Sequence, residues 1–310
     1  MKFLKPWTFF FVAAAVCLGR TEPSRRPIID VHLHAASDSA LKGDWPDPVP
    51  GVSKPATARE HTRQTLAMMD RYNVVLGIAS YDSENVERLR QAAPDRIWAG
   101  LSYGIPGFEI EKMRSLYKSG KLRIMGEVCA QYDGLSPSDP VLEPYFALAE
   151  SLDVPACVHM GVSFSGITQS APKFRVSMGN PLLLEEMLNR HPKLRVWIAH
   201  MGFPYLQETI GIVSVYPQVF IDTSAIDWLA SPEPFLSYLK ELIKNGLGDR
   251  IMFGSDQMDW PEAIGIAVET IEKAAFLTAE QKRDILYNNA ARFLRLPPEQ
   301  IARHHQDTKR

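Results

Sequence analysis

Eight short apolar runs rich in β-branched residues recur along the chain, and a segment of helical period follows each of them. The runs lie at 28–31, 74–78, 97–101, 122–128, 156–159, 194–198, 219–222 and 250–254. The helical segments fall near 58–72, 84–93, 108–119, 141–152, 181–191, 204–214, 233–245 and 262–275, with a further one near 279–294. Asn180-Pro181 opens the fifth helix, His191-Pro192 closes it, and Thr278 with Gln281 three residues on is a candidate capping box. Strand and helix alternate eight times without a break in composition, which predicts an α/β protein with a single closed, TIM-like (β/α)8 barrel over 28–296. A doubly wound open sheet is the alternative, but no glycine-rich phosphate loop follows the first strand. The connections 35–57, 160–180 and 224–232 are long and follow strands, so they are expected to wall a pocket at the carboxyl ends of the barrel. Residues 297–310 form a C-terminal tail, expected to be solvated and frayed from Gln300 onward.

Composition narrows the class of function. The chain has 310 residues, 45% apolar and 23% charged, enough for a large core. Its formal charge of −2 is spread over interspersed acids and bases, with no basic run before the last few residues, which argues against nucleic acid and points to a small-molecule substrate. Residues 1–19 differ from the rest: Lys2 and Lys5 precede an apolar stretch that ends in small residues such as Ala13, Ala15 and Gly19. This pattern predicts a cleaved signal peptide and export to a periplasmic or secreted location, with 20–27 as a linker and no stable membrane insertion afterwards. Cys17 invites a lipoprotein reading, placed second because Val16 before it is large for lipoprotein processing. Cys129 and Cys157 lie in apolar runs and read as buried thiols, and their number excludes a disulfide framework.

The chemistry begins with His32 and His34. Two residues apart on a strand, they face the same way and can hold one metal between them. Glu127, His159, His200 and Asp256 fall near the carboxyl ends of the fourth, fifth, sixth and eighth strands, so a barrel brings all of them to one mouth. Taken singly, each has a plain structural reading, as a satisfied core histidine or a strand cap. Together they offer the imidazoles and carboxylate that suit a borderline cation such as zinc, with Asp256 as the natural base or proton shuttle. Glu127 stays open between bridging two metals, ligating none, and pairing with a base across the mouth. Arg175 and Lys173 could clamp a substrate carboxylate or belong to a solvated loop, while Trp45, Tyr132, Trp228 and Trp260 could wall an apolar pocket. Tyr103 is undecided, and His61, between Arg59 and Arg63 on a helix, reads as surface or packing.

The order of His-x-His, Gly126-Glu127-Val128, Val158-His159-Met160-Gly161, Ala199-His200-Met201-Gly202-Phe203-Pro204 and Phe253-Gly254-Ser255-Asp256 resembles the amidohydrolase superfamily, most closely its amidohydrolase-related branch. The resemblance runs from about Ile28 to Phe293 and is specific to family, not to substrate. It implies a distorted barrel with one or two divalent metals that catalyses hydrolysis or, in some members, decarboxylation. By position, His32, His34, His159 and Asp256 would be the set for one metal, with His200 beside it as a catalytic or orienting residue. In two-metal relatives a glutamate on the fourth strand bridges and the sixth-strand histidine ligates the second ion; this chain has both Glu127 and His200 and lacks the fourth-strand lysine that other members carboxylate. The leading expectation is a hydrolase in which metal-activated water attacks an ester, lactone or amide carbonyl. A decarboxylase of a carboxylated aromatic is the second, and a non-catalytic exported ligand- or metal-binding barrel the third. A homodimer is the general expectation for such an enzyme.

Overall fold

The structure, a computed structural model, describes residues 26–43, 47–101, 105–229 and 231–306. The expected signal peptide, Trp45 and Tyr103 lie outside the described residues. Eight parallel strands follow the anticipated order: β1 (Ile28–Ala35), β2 (Val74–Tyr81), β3 (Ile97–Ala99), β4 (Met125–Val128), β5 (Ala156–Val158), β6 (Val196–Ile198), β7 (Val219–Asp222) and β8 (Ile251–Met252). The expected continuous eight-stranded ladder is instead two arcs, β1-β2-β3 and β4 through β8. A single bridge between Gly100 and Ile124 spans one seam. Here the chains run close: a Cβ on Gly100 would lie 3.1 Å from Gly126 Cα. Across the other seam, Val31 N–H donates to Phe253 O (3.0 Å) and Asp256 N–H to His32 O (2.7 Å). The molecule is thus an α/β barrel of the TIM type whose ladder is interrupted at two seams, between β3 and β4 and between β8 and β1.

Alternation along the strands divides the core into two faces. Cys157 lies between Ala156 and Val158, and Trp197 between Val196 and Ile198. In each triplet the middle residue packs with Ile78, Phe220 and Met252, and its neighbours pack against helical residues such as Met69, Leu89, Phe146 and Ile264. The first set is therefore the barrel interior and the second the layer between strands and helices. On β1 this alternation changes phase. Ile29 and Val31 join the interior set but Leu33 and Ala35 join the outer one, and the register of β1 against β2 shifts between Asp30 and Leu33. Without that irregularity His32 and His34 would share the face opposite Ile29 and Val31 and point toward the helices.

The final helical stretch begins with the anticipated capping box at Thr278 and Gln281 and runs as Ala279–Arg283, a π-helical turn Asp284–Asn288, and Asn289–Phe293. Tyr287, Ala290 and Phe293 on it close the interior set from the end opposite the strand carboxyl termini. The tail departs from expectation: Pro298–Gln306 is a helix rather than a frayed end. Its His304 is buried, with Nδ1 3.0 Å from Tyr287 Oη, and Ile301 packs against the same cluster. The physical reason is that Tyr287, Leu294 and Leu296 leave apolar surface at the base of the barrel which the helix removes from water. No helix among the described residues is long and apolar enough to cross a membrane. Tyr287→Phe is expected to destabilise the fold by about 1 kcal/mol, the usual net value of one buried hydrogen bond. It should lower the urea midpoint with m unchanged; an unaltered midpoint would show that the tail helix adds nothing through this contact.

Candidate metal centre

The backbone at the mouth is shaped to aim side chains inward. His200 and Met201 have φ of 58° and 53°, and Asp256 has φ of 44°, a left-handed conformation that residues with a Cβ adopt at a cost. Specific bonds hold them there. His200 N–H donates to Asp222 Oδ1 (2.9 Å), and Asp256 N–H donates to His32 O across the barrel seam. Gln257 clamps β1 from the next position: His34 N–H donates to its Oε1 (3.0 Å) and its Nε2 donates to His34 O (2.6 Å). A side-chain amide thus continues the sheet where the ladder has ended.

These supports bring together all six residues anticipated from sequence, and they fall into two groups. His32, His34 and Asp256 form one, and Glu127, His159 and His200 form the other, all buried. In the first, His32 Nε2 and His34 Nε2 are 3.2 Å apart and Asp256 Oδ1 is 3.2 Å from His34 Nε2. In the second, Glu127 Oε1 is 2.7 Å from His159 Nδ1 and 3.2 Å from His200 Nε2, and those two nitrogens are 3.1 Å apart. Glu127 joins the groups, because its other oxygen, Oε2, is 3.5 Å from His32 Nε2 and 3.4 Å from His34 Nε2. Asp256 reaches across as well, with Oδ2 3.8 Å from His200 Nδ1.

The donor set fits divalent cations. His32 Nδ1 is 3.0 Å from Asp222 Oδ2, so the Nδ1–H donates a hydrogen bond to that carboxylate and the ring turns Nε2 toward His34, Glu127 and Asp256. Converging lone pairs repel one another unless a cation lies between them, and Asp256 Oδ1 is buried without a hydrogen-bond partner. Three buried carboxylates, Glu127, Asp222 and Asp256, also need positive charge. Without metal they draw it from protons. Burial alone would lower the pKa of His32, but Asp256, Glu127 and Asp222 outweigh it and hold the imidazole well above its ordinary 6.5. At His200 burial is likewise outweighed by Glu127 and Asp256, and the pKa is raised. His159, where burial dominates, is shifted down. Burial would raise Glu127, yet the charge of His32 and the bonds from His159 and His200 take it well below 4.5. A third grouping of His32, Cys157 and Asp222 is unsuited to metal, since burial pushes the Cys157 thiol up, away from the thiolate a metal takes, and Asp222 Oδ2 is already engaged with His32 Nδ1.

The residues expected to bind substrate are less uniformly placed. Arg175 is exposed and its Nη1 donates to Pro172 O (2.9 Å) and Phe174 O (2.8 Å), which ties it to its own loop. Trp228 is buried and donates to Ser255 O (2.7 Å), and Trp260 donates to Asp47 Oδ1 (2.9 Å); their rings lie 6.1 Å apart as packing behind the Asp256 loop. Tyr132 does meet the centre, edge-on to His159 at 5.0 Å. His61 is buried, bonded to Met258 O (2.7 Å), with its pKa lowered to about 4 by burial. Sequence reasoning overlooked Tyr81, stacked on His34 at 5.1 Å, as well as Asp222 and Gln257. Tyr81 and Asp222 end strands and Gln257 follows Asp256, so strand-end position was the available signal.

Comparison with known proteins agrees with this fold. The sequence profile of a family described as "Amidohydrolase" matches residues 29–296. Protein fluG of Emericella nidulans is 24% identical over 151 residues, 42% of this chain and 17% of that protein, so the chain spans about a sixth of that curated relative. A probable 2-pyrone-4,6-dicarboxylic acid hydrolase from Acinetobacter baumannii superposes with a TM-score of 0.64 at 17% identity, covering 87% of this chain and 99% of the other. A dihydroxybenzoic acid decarboxylase from Polaromonas sp. JS666, with bound manganese and the inhibitor 2-nitroresorcinol, gives 0.62 at 14% identity, covering 89% and 99%. At these identities the solved structures establish a shared fold.

The shifted histidines make a signed prediction. Stability that His32 and His200 lend the metal-free protein is complete below about 6.5 and is lost as pH rises through their elevated folded values, while His159, shifted down, acts on the acid side of 6.5. A bound cation replaces those protons, so its affinity rises over the same range. The gap in melting temperature between zinc-loaded and chelator-stripped protein is therefore expected to widen as pH is raised above about 6.5. Parallel pH profiles for the two forms would contradict it.

Proposed function

The chain belongs to the amidohydrolase family, and from its site we propose that it is a metal-dependent hydrolase in which water attacks an ester, lactone or amide carbonyl of a small molecule, with His32, His34 and Asp256 as the residues that would hold one divalent ion and Glu127, His159 and His200 those that would hold a second. The observation that carries this reading is the division of ligands: Glu127 turns one oxygen to His32 and His34 and the other to His159 and His200. A single ion held by His32, His34, His159 and Asp256 is less well supported, because His159 Nδ1 lies with Glu127 Oε1 and His200 Nε2 and not with the other three. A divalent ion, for which zinc best matches an imidazole and carboxylate set, supplies Lewis acidity toward a substrate oxygen and acidifies water.

The chain's own residues supply the rest. Asp256 lies between His34 and His200, at 3.2 Å and 3.8 Å, so it can take the proton released by attacking water and return it to the leaving group. Tyr81 and Tyr132 flank the two groups, packed on His34 and His159, and exclude bulk water from either side. The aromatic flanks also suit a planar substrate, and together with the likeness to a manganese-containing decarboxylase they favour one alternative, the decarboxylation of a carboxylated aromatic.

Metal analysis of the purified chain is expected to find two equivalents. Chelation should abolish turnover and zinc or manganese should restore it. Glu127→Ala should lose at least one equivalent and lower kcat by about 100- to 1,000-fold, the usual effect of removing an electrostatic stabiliser. Uptake of heavy oxygen from labelled water into the product identifies the hydrolase, and release of carbon dioxide without it identifies the decarboxylase. Full activity in demonstrably metal-free protein would overturn both.

A further inference from the structure

Asp222, at the carboxyl end of β7, is fully buried and receives five hydrogen bonds. Oδ2 accepts from His32 Nδ1 (3.0 Å) and Trp197 Nε1 (3.2 Å); Oδ1 accepts from His200 N (2.9 Å), Ser224 N (3.2 Å) and Ser224 Oγ (2.5 Å). Ser224 Oγ in turn lies 3.0 Å from His200 Nδ1. One oxygen therefore serves a histidine of the first ligand group, and the other serves the backbone and, through Ser224, the ring of a histidine of the second. No other side chain outside the two groups bonds to histidines of both among the described residues.

Gly254 bears on the same contact. A Cβ there would lie 2.8 Å from His32 Cβ and 3.3 Å from both Asp222 Oδ2 and Ser224 Cβ. The glycine of Phe253-Gly254-Ser255-Asp256 thus provides the space in which His32 reaches Asp222, a close-approach role unrelated to turn conformation.

We propose that Asp222 is a positioning residue that couples the two halves of the metal centre, fixing the His32 proton on Nδ1 and the His200 backbone with one anion. The inference rests on the two-ion reading above. An asparagine at 222 keeps the shape but turns an amide N–H2 toward one set of donors. If that set includes His32, the ring relieves the clash by moving its proton to Nε2, the nitrogen that faces the metal; if it includes His200 N–H, the left-handed turn at His200 loses its acceptor. Either way one residue no longer offers an acceptor to both groups, and the negative charge that faced both is lost.

The test is a competitive zinc titration of chelator-stripped full-length protein, with melting temperature measured on the stripped form. Three variants are compared with wild type: Asp222→Asn, Gly254→Ala, and Asn289→Ala, the last cutting buried bonds to Gly248 O and Ile251 O at the other end of β8. Asp222→Asn is expected to weaken both binding steps by about 10- to 100-fold, the range for lost partners of metal ligands. Gly254→Ala, which crowds His32, Asp222 and Ser224 while leaving every hydrogen-bonding group in place, should also weaken both steps, and it carries the test if Asp222→Asn fails to fold, loss at the His32 step alone then overturning the coupling. Asn289→Ala should lower the melting temperature and leave zinc affinity unchanged. Loss at one step only in Asp222→Asn, no loss, or equal losses in Asn289→Ala would overturn the coupling. A wild-type chain that takes up no zinc would overturn the two-ion reading and the coupling with it.

Discussion

Glu127 is the contact on which the mouth of this barrel depends. Its two oxygens face different pairs of histidines, at 2.7 and 3.2 Å on one side and 3.5 and 3.4 Å on the other. A carboxylate buried this deeply needs positive charge close to it, and four imidazoles provide either protons or the remaining ligands of cations. The charge that raises the proton affinities of His32 and His200 would also attract a divalent ion, so protons and such an ion would compete for these groups.

Holding so many like-charged and lone-pair-bearing groups together has structural consequences. Three of them stand beyond their strands, because β5 ends at Val158, β6 at Ile198 and β8 at Met252, whereas His32 and His34 lie within β1 and Glu127 within β4. Beyond those points side chains take over the work of the ladder. Gln257 pairs with the backbone of His34, Asp222 with the amide of His200, and the left-handed residues His200 and Asp256 turn the chain so that their side chains face inward. Strain at these residues is thus located where the chemistry is, as expected for a site whose neighbours over-determine its geometry.

The opposite end of the barrel is organised by apolar contact. Tyr287, Ala290 and Phe293 meet the interior residues Trp197 and Phe220, and the helix at 298–306 covers what remains. Ligands at the carboxyl ends of the strands and packing at the amino ends is the division of labour common to such barrels, and it lets loops around the mouth vary without loss of the core.

Most of the architecture was legible in the chain. Period and punctuation located all eight strands, most helices and the capping box at Thr278, because alternation and helical spacing are local properties. The members of the two candidate metal groups were legible too, since His32, His34, Glu127, His159, His200 and Asp256 all follow or end apolar runs. The helix at 298–306 was missed because its polar sequence becomes stable only against Tyr287. The phase of β1 was also hidden: simple alternation puts His32 and His34 on one face, but which face depends on a register shift between Asp30 and Leu33 set by pairing with β2. By itself, then, the sequence determined the order of elements and which residues make up the two candidate metal groups. Only the tertiary structure decided how those residues divide about Glu127 and that Asp222 bonds to both groups, because each of those relations is a distance between residues tens to hundreds of positions apart.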